Sequence, residues 1–168
     1  GQDEKPPMIQ APDFTVKQQN YPGIEEIDKA WKNTAYLFFA QEMPDCCKTP
    51  EEAKKFFENL NKNSKAKYGR NCMPQVNTKH FAEPGKLHKY GRCLYVGSCK
   101  EDIRGSMKHH LGKLSGAFGL HLGEWWKKNS IQIFFLVFAD NIAGEYLSLV
   151  KDALWDECKP LFGKRGPR

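Results

Sequence analysis

An extended stretch that breaks at a glycine and runs straight into a helix constrains this chain more than any other part of it. Residues Gly91-Arg92-Cys93-Leu94-Tyr95-Val96-Gly97-Ser98 lead directly into Asp102-Ile103-Arg104-Gly105-Ser106-Met107-Lys108-His109-His110-Leu111. Strand formers crowd positions 93–96, and Gly97-Ser98 interrupts the extended run. Beyond it, Ile103, Met107, His110/Leu111 and Leu114 recur at helical spacing. The spacing predicts a strand, a tight glycine turn and a helix, which places His110 on the helix's apolar side.

The other elements follow from the same two periods. Residues 35–40, Ala-Tyr-Leu-Phe-Phe-Ala, are an apolar run of strand length, and residues 131–139 are apolar on both faces, as a central strand is. Thr49-Pro50-Glu51-Glu52 has the features of a capping box opening a helix, with Ala53, Phe56, Phe57 and Leu60 on one face. Short helices are expected from Ile24 and over residues 115–128. A last helix, capped by Asp140 or Asn141, should carry Ile142, Tyr146, Leu149, Ala153 and Leu154 as its apolar stripe. Residues 41–89 read as an insertion between neighbouring strands, more often a solvated loop than a contact surface. The proline-bearing residues 1–23 read as an extended arm in front of a single domain over 24–168.

A length of 168 residues with 40% hydrophobic content can build one core. No apolar run reaches the length of a membrane span, and the opening residues show no signal-peptide pattern, so the expected location is cytoplasmic and no membrane partner is expected. The chain opens on Gly1 rather than methionine, as a piece of a longer protein would. Its net charge of +6 suits a polyanionic partner such as nucleic acid, and equally an ordinary solvated surface. Six cysteines without a CxxC pair argue against a zinc site or a disulfide framework.

Glu145 falls within the expected stripe of the last helix. A carboxylate buried there is costly without a cation or donors, so it is a candidate metal ligand, with a structural ion pair as the plain alternative. Trp125-Trp126 could stack bases, although packing under the central strand is the commoner use of such a pair.

Taken in order, these pieces resemble the GIY-YIG nucleases. Tyr36 in Ala35-Tyr36-Leu37-Phe38 is similar to the first signature half and Tyr95-Val96-Gly97 to the second. The helix from Ile103 to Leu111 resembles the third motif, residues 115–126 a Leu-His-Leu plus Trp segment, Glu145 the glutamate of the last helix, and Lys159-Pro160-Leu161-Phe162 the closing motif. The resemblance covers roughly residues 34–166. It implies an α/β (α+β) fold with a small, mainly antiparallel, three-stranded sheet flanked by helices. It also implies a metal-dependent endonuclease acting on DNA with one Mg2+ or Mn2+ held by Glu145. Tyr36 or Tyr95 would activate water, His110 would assist, and an arginine four residues before His110 would contact the scissile phosphate.

That arginine is missing. Position 106 is serine, and Arg104 lies about 160° away around an ideal helix. Three accounts fit: an arginine-to-serine change that disables a nuclease, a member that borrows Lys113, Arg92 or another cation, or a module that binds nucleic acid without cutting. Gly163 also stands where many members have asparagine. Arg104, Lys108, Lys113, Lys164 and Arg165 are the expected nucleic-acid contacts. Duplex, branched and RNA substrates stay open, as do roles in restriction or defence, mobility, repair and intercellular toxicity.

Overall fold

The computed structural model describes residues 8–10, 14–17, 24–25, 27–127 and 130–167. Three antiparallel strands form its centre: β3 (Thr34–Ala40) is paired with β4 (Arg92–Cys99) on one side and β5 (Ser130–Phe138) on the other. Every residue of β3 is buried, because a middle strand covered on both faces has no solvent side. Two short strands of the arm, β1 (Met8–Gln10) and β2 (Phe14–Lys17), pair antiparallel with the outer edge of β5. The rest of residues 1–23 lies outside the described residues.

The pleat of β3 sends Tyr36, Phe38 and Ala40 into the larger core and Leu37 and Phe39 into a smaller one behind the sheet. On β4 the register shifts: Phe38 pairs with Tyr95 but Phe39 with Cys93, so Leu94 is an extra residue in the ladder. This bulge lets Leu94 and Tyr95, although consecutive, both join the larger core. Without it Cys93 and Tyr95, two residues apart, would share a face; with it Cys93 joins the smaller core and Tyr95 the larger.

Helix α1 (Pro50–Tyr68) starts as its sequence says. Thr49 Oγ1 accepts from the Glu52 amide at 3.2 Å, and Glu52 Oε1 accepts from the Thr49 amide at 3.1 Å. The insertion is far from a solvated loop, however. Phe57 stacks on Phe162 with ring centroids 4.5 Å apart, and Phe56 and Phe57 both meet Trp125. Residues 41–89 therefore complete the core on one face of the sheet.

Helix α2 (Ile103–Leu111) follows β4, capped by Asp102, whose carboxylate accepts from the Gly105 amide at 3.1 Å. The helix expected over 115–128 is reduced to one turn, α3 (Leu122–Trp125). Gly112, Gly116 and Gly119 precede it and His121 takes a left-handed φ of 50°, so helical propensity fails across that stretch. Only turns, one of them 3-10, form among the described residues from Ile24 to Trp31.

Helix α4 (Gly144–Cys158) packs behind the sheet, and its N-cap is Ala143 rather than Asp140 or Asn141. Its buried face also differs from the expected stripe. Leu147 and Cys158 are buried, Val150, Leu154 and Trp155 half-buried, whereas Leu149 is 67% exposed and Ala153 is exposed. The inward phase is set by Leu147, one position from where the periodicity placed it, and Glu145 turns to solvent. Among the described residues no helix is long and apolar enough to cross a membrane.

Candidate functional site

Tyr36 and Tyr95 lie on neighbouring strands and the same face of the sheet, with ring centroids 6.3 Å apart and planes nearly parallel. Tyr36 is opposite Gly97 in the ladder. A Cβ at residue 97 would stand 2.5 Å from Tyr36 Cζ and 2.6 Å from its Oη, so the glycine of Tyr-Val-Gly is the space into which the Tyr36 phenol fits.

His110 reaches the same point from α2. Its ring is 4.5 Å from that of Tyr95 and 5.6 Å from that of Tyr36, and it is 1% exposed. The backbone amide of Leu120 donates to His110 Nδ1 at 3.2 Å. With Nδ1 accepting, the ring proton belongs on Nε2, which lies 3.1 Å from Tyr36 Oη and donates to it. The irregular segment after α2 thus fixes the tautomer, and the tautomer aims a donor at the phenol oxygen.

Both tyrosines line a cleft of about 290 Å³ between the end of β4 and the first turns of α4. Its wall also includes Lys100, Ser148, Lys151 and Asp152. Glu145 is exposed and borders an adjoining open groove, which shares Lys100, Ser148 and Asp152 with the cleft. Asp152 is seven residues after Glu145 on the same side of α4. It accepts from the Gly166 amide at 3.0 Å and faces Arg165 at 3.6 Å. Among the described residues Glu145 makes no hydrogen bond or ion pair, and no group of three or more His, Cys, Asp or Glu side chains is placed to hold a metal ion. What Glu145 offers is one unengaged oxygen ligand at the rim. That fits a hard cation such as Mg2+, which keeps several waters and takes one or two carboxylates.

Ser106 is one turn before His110 on α2 and half-buried. Arg104 points elsewhere, as the helical angle requires: its Nε donates to the Ile27 carbonyl at 2.6 Å and its Nη2 to that of Glu25 at 2.8 Å. Arg92 donates to the carbonyls of His80 and Phe81, and its pKa is drawn down by burial. Lys108, Lys113 and Lys164 are exposed and do not line the cleft. Arg165 is bound to Asp156, with Nε to Oδ1 at 2.9 Å, which holds the Asp156 carboxyl below the usual carboxylate range. Trp125 and Trp126 are 4% and 1% exposed, and Trp125 Nε1 donates to the Leu120 carbonyl, so both are packing residues.

The closing segment is held by a residue that sequence reasoning missed. Asn77, from the insertion, donates through Nδ2 to the carbonyls of Pro160 at 2.9 Å and Gly163 at 2.6 Å. Gly163 itself, at φ 93°, lies against the Tyr95 ring, where a Cβ would be 2.7 Å from Cε1. An amide side chain therefore does serve this turn, delivered from 86 residues away. Lys100 and Asp152 were missed as well, although Lys100 stands five residues after Tyr95 and Asp152 at heptad spacing from Glu145. No family model, no curated protein and no solved structure matches the chain.

Proposed function

We propose that this chain is an endonuclease domain of GIY-YIG type that acts in the cytoplasm and hydrolyses phosphodiester bonds of DNA. The observation that carries the reading is the convergence of Tyr36, Tyr95 and His110 from three separate elements: both tyrosines line one cleft, and the buried His110 meets them from behind. Chance core packing brings aromatic rings together, but it does not require a histidine with its tautomer fixed to donate to a phenol oxygen at a cleft wall.

In this reading Tyr36 Oη orients the attacking water, and the His110 Nε2–H stabilises negative charge on that oxygen. Tyr95 packs on both rings and holds them. Glu145 would hold a divalent cation, Mg2+ or Mn2+, whose chemistry is to neutralise charge on the transferring phosphoryl group. Position 106 is where the phosphate-contacting arginine would stand.

A second reading has its own support: with serine at 106 and Arg104 bound to backbone carbonyls, the fold could bind nucleic acid without cutting it. Plasmid cleavage with Mg2+ or Mn2+ separates the two, using this chain, its Ser106→Arg variant and Glu145→Ala in each background. The nuclease reading expects Ser106→Arg to cut faster than the parent chain and Glu145→Ala to abolish cutting. Salt-sensitive DNA binding with no cutting by either form would overturn it in favour of the binding module.

A further inference from the structure

The cleft holds a cation that the reading above does not use. Lys100 follows β4 directly and is exposed at the cleft wall, two residues beyond Ser98. Its ammonium lies over Gly144: a Cβ there would be 2.9 Å from Lys100 Nζ. Glycine at the first position of α4 therefore leaves the room that the lysine head occupies, between the tyrosine cleft and the groove bordered by Glu145.

Among the described residues the other cations near the site are engaged within the protein. Lys151 Nζ donates to the Gly166 carbonyl at 2.6 Å, and Arg165 is bound to Asp156 and faces Asp152. Arg92 and Arg104 are tied to backbone carbonyls on other elements. Among the described residues the Lys100 ammonium makes no hydrogen bond and no ion pair, although Asp152 and Glu145 border the same groove. A point charge with three donors, beside two phenols and short of an acceptor, asks for an anion with several oxygens.

We infer that Lys100 is the phosphate-binding cation of this cleft, supplying from the end of β4 the charge that position 106 lacks. Naming the phosphate as that of a phosphodiester rests on the nuclease reading; the anion site itself does not. Lysine serves here as a compact charge rather than a planar fork, so arginine at position 100 should also serve, and a neutral residue should not.

The test titrates inorganic phosphate into the 15N-labelled full chain and follows the backbone amides of Gly97, Ser98 and Gly144. In the parent chain and in Lys100→Arg these signals should move saturably. In Lys100→Ala the affinity should fall about tenfold or more, the loss of one charged hydrogen bond, while the rest of the spectrum stays in place. Lys62→Ala, on the exposed side of α1, should bind as the parent does. If the three amides do not respond in the parent chain, or respond equally in Lys100→Ala, the inference is overturned. If Lys100→Ala abolishes the response while neither the parent chain nor Ser106→Arg cuts DNA, the anion site stands and the nuclease reading falls.

Discussion

Adding one methyl group at position 97 would put a carbon 2.5 Å from Tyr36 Cζ, against a ring that His110 and Phe38 already hold from other sides. Tyr36 cannot yield without lengthening its 3.1 Å bond to His110 Nε2. Gly97→Ala should therefore cost about 1–3 kcal/mol of stability, the usual range for overpacking a filled core. It should also shift the imidazole Nε2–H proton resonance of His110. Urea denaturation and proton NMR would check both, and an unchanged imidazole resonance would show that Tyr36 is not gated by this glycine. Tyr36, Gly97 and His110 were legible in the chain because each sits in a motif whose order along the sequence matches its order in the site. Lys100 and Asn77 were not: one becomes a cleft residue only through where α4 begins, the other only through an 86-residue closure.

Elements were legible where a local rule had no competitor. The capping box at Thr49 formed as expected, and the strands expected over 35–40, 93–96 and 131–139 formed over 34–40, 92–99 and 130–138. The tight turn expected at Gly97-Ser98 did not form, because both residues stay in the β4 ladder opposite Tyr36 and Ala35. The phase of α4 was not legible, because Leu147 and Leu149 offer alternative apolar faces and only the sheet beneath decides between them. The same limit hid the value of the insertion. The apolar face of its helix reads from the periodicity but what it packs on does not: Phe57 is 2% exposed, stacked on Phe162 and edge-on to Trp125. Phe57→Ala should cost about 3–5 kcal/mol, the range for removing a buried ring. Since Phe162 closes the same cluster that packs beneath Tyr95, the loss should register in the site as well as in the insertion. A urea midpoint close to that of the parent protein would mean that α1 is an appendage after all.

For the whole molecule, the response to acid follows from a residue at the junction of these parts. His121 is fully buried at the end of the irregular segment between α2 and α3. Its Nε2 faces the Ala117 carbonyl at 2.8 Å and its Nδ1 that of Lys113 at 3.2 Å, while its amide donates to the His109 carbonyl. Burial pulls its pKa below the ordinary histidine value, the two carbonyls pull part of the way back, and the charge of nearby His109 adds to the lowering. A base whose folded pKa is depressed binds fewer protons folded than unfolded between the two pKa values, so stability rises with pH across that window. The contribution is complete above the unfolded value of about 6.5 and is lost as pH falls below it, at no more than about 1.4 kcal/mol per pH unit. His121→Asn should flatten this slope between about pH 7 and 5, since asparagine does not titrate and tolerates the left-handed backbone that His121 adopts at φ 50°. Urea denaturation of both proteins across that range is the measurement. Parallel slopes would assign the acid response to other groups, whereas a flat variant would show that the segment fixing the His110 tautomer is also the one that acid loosens.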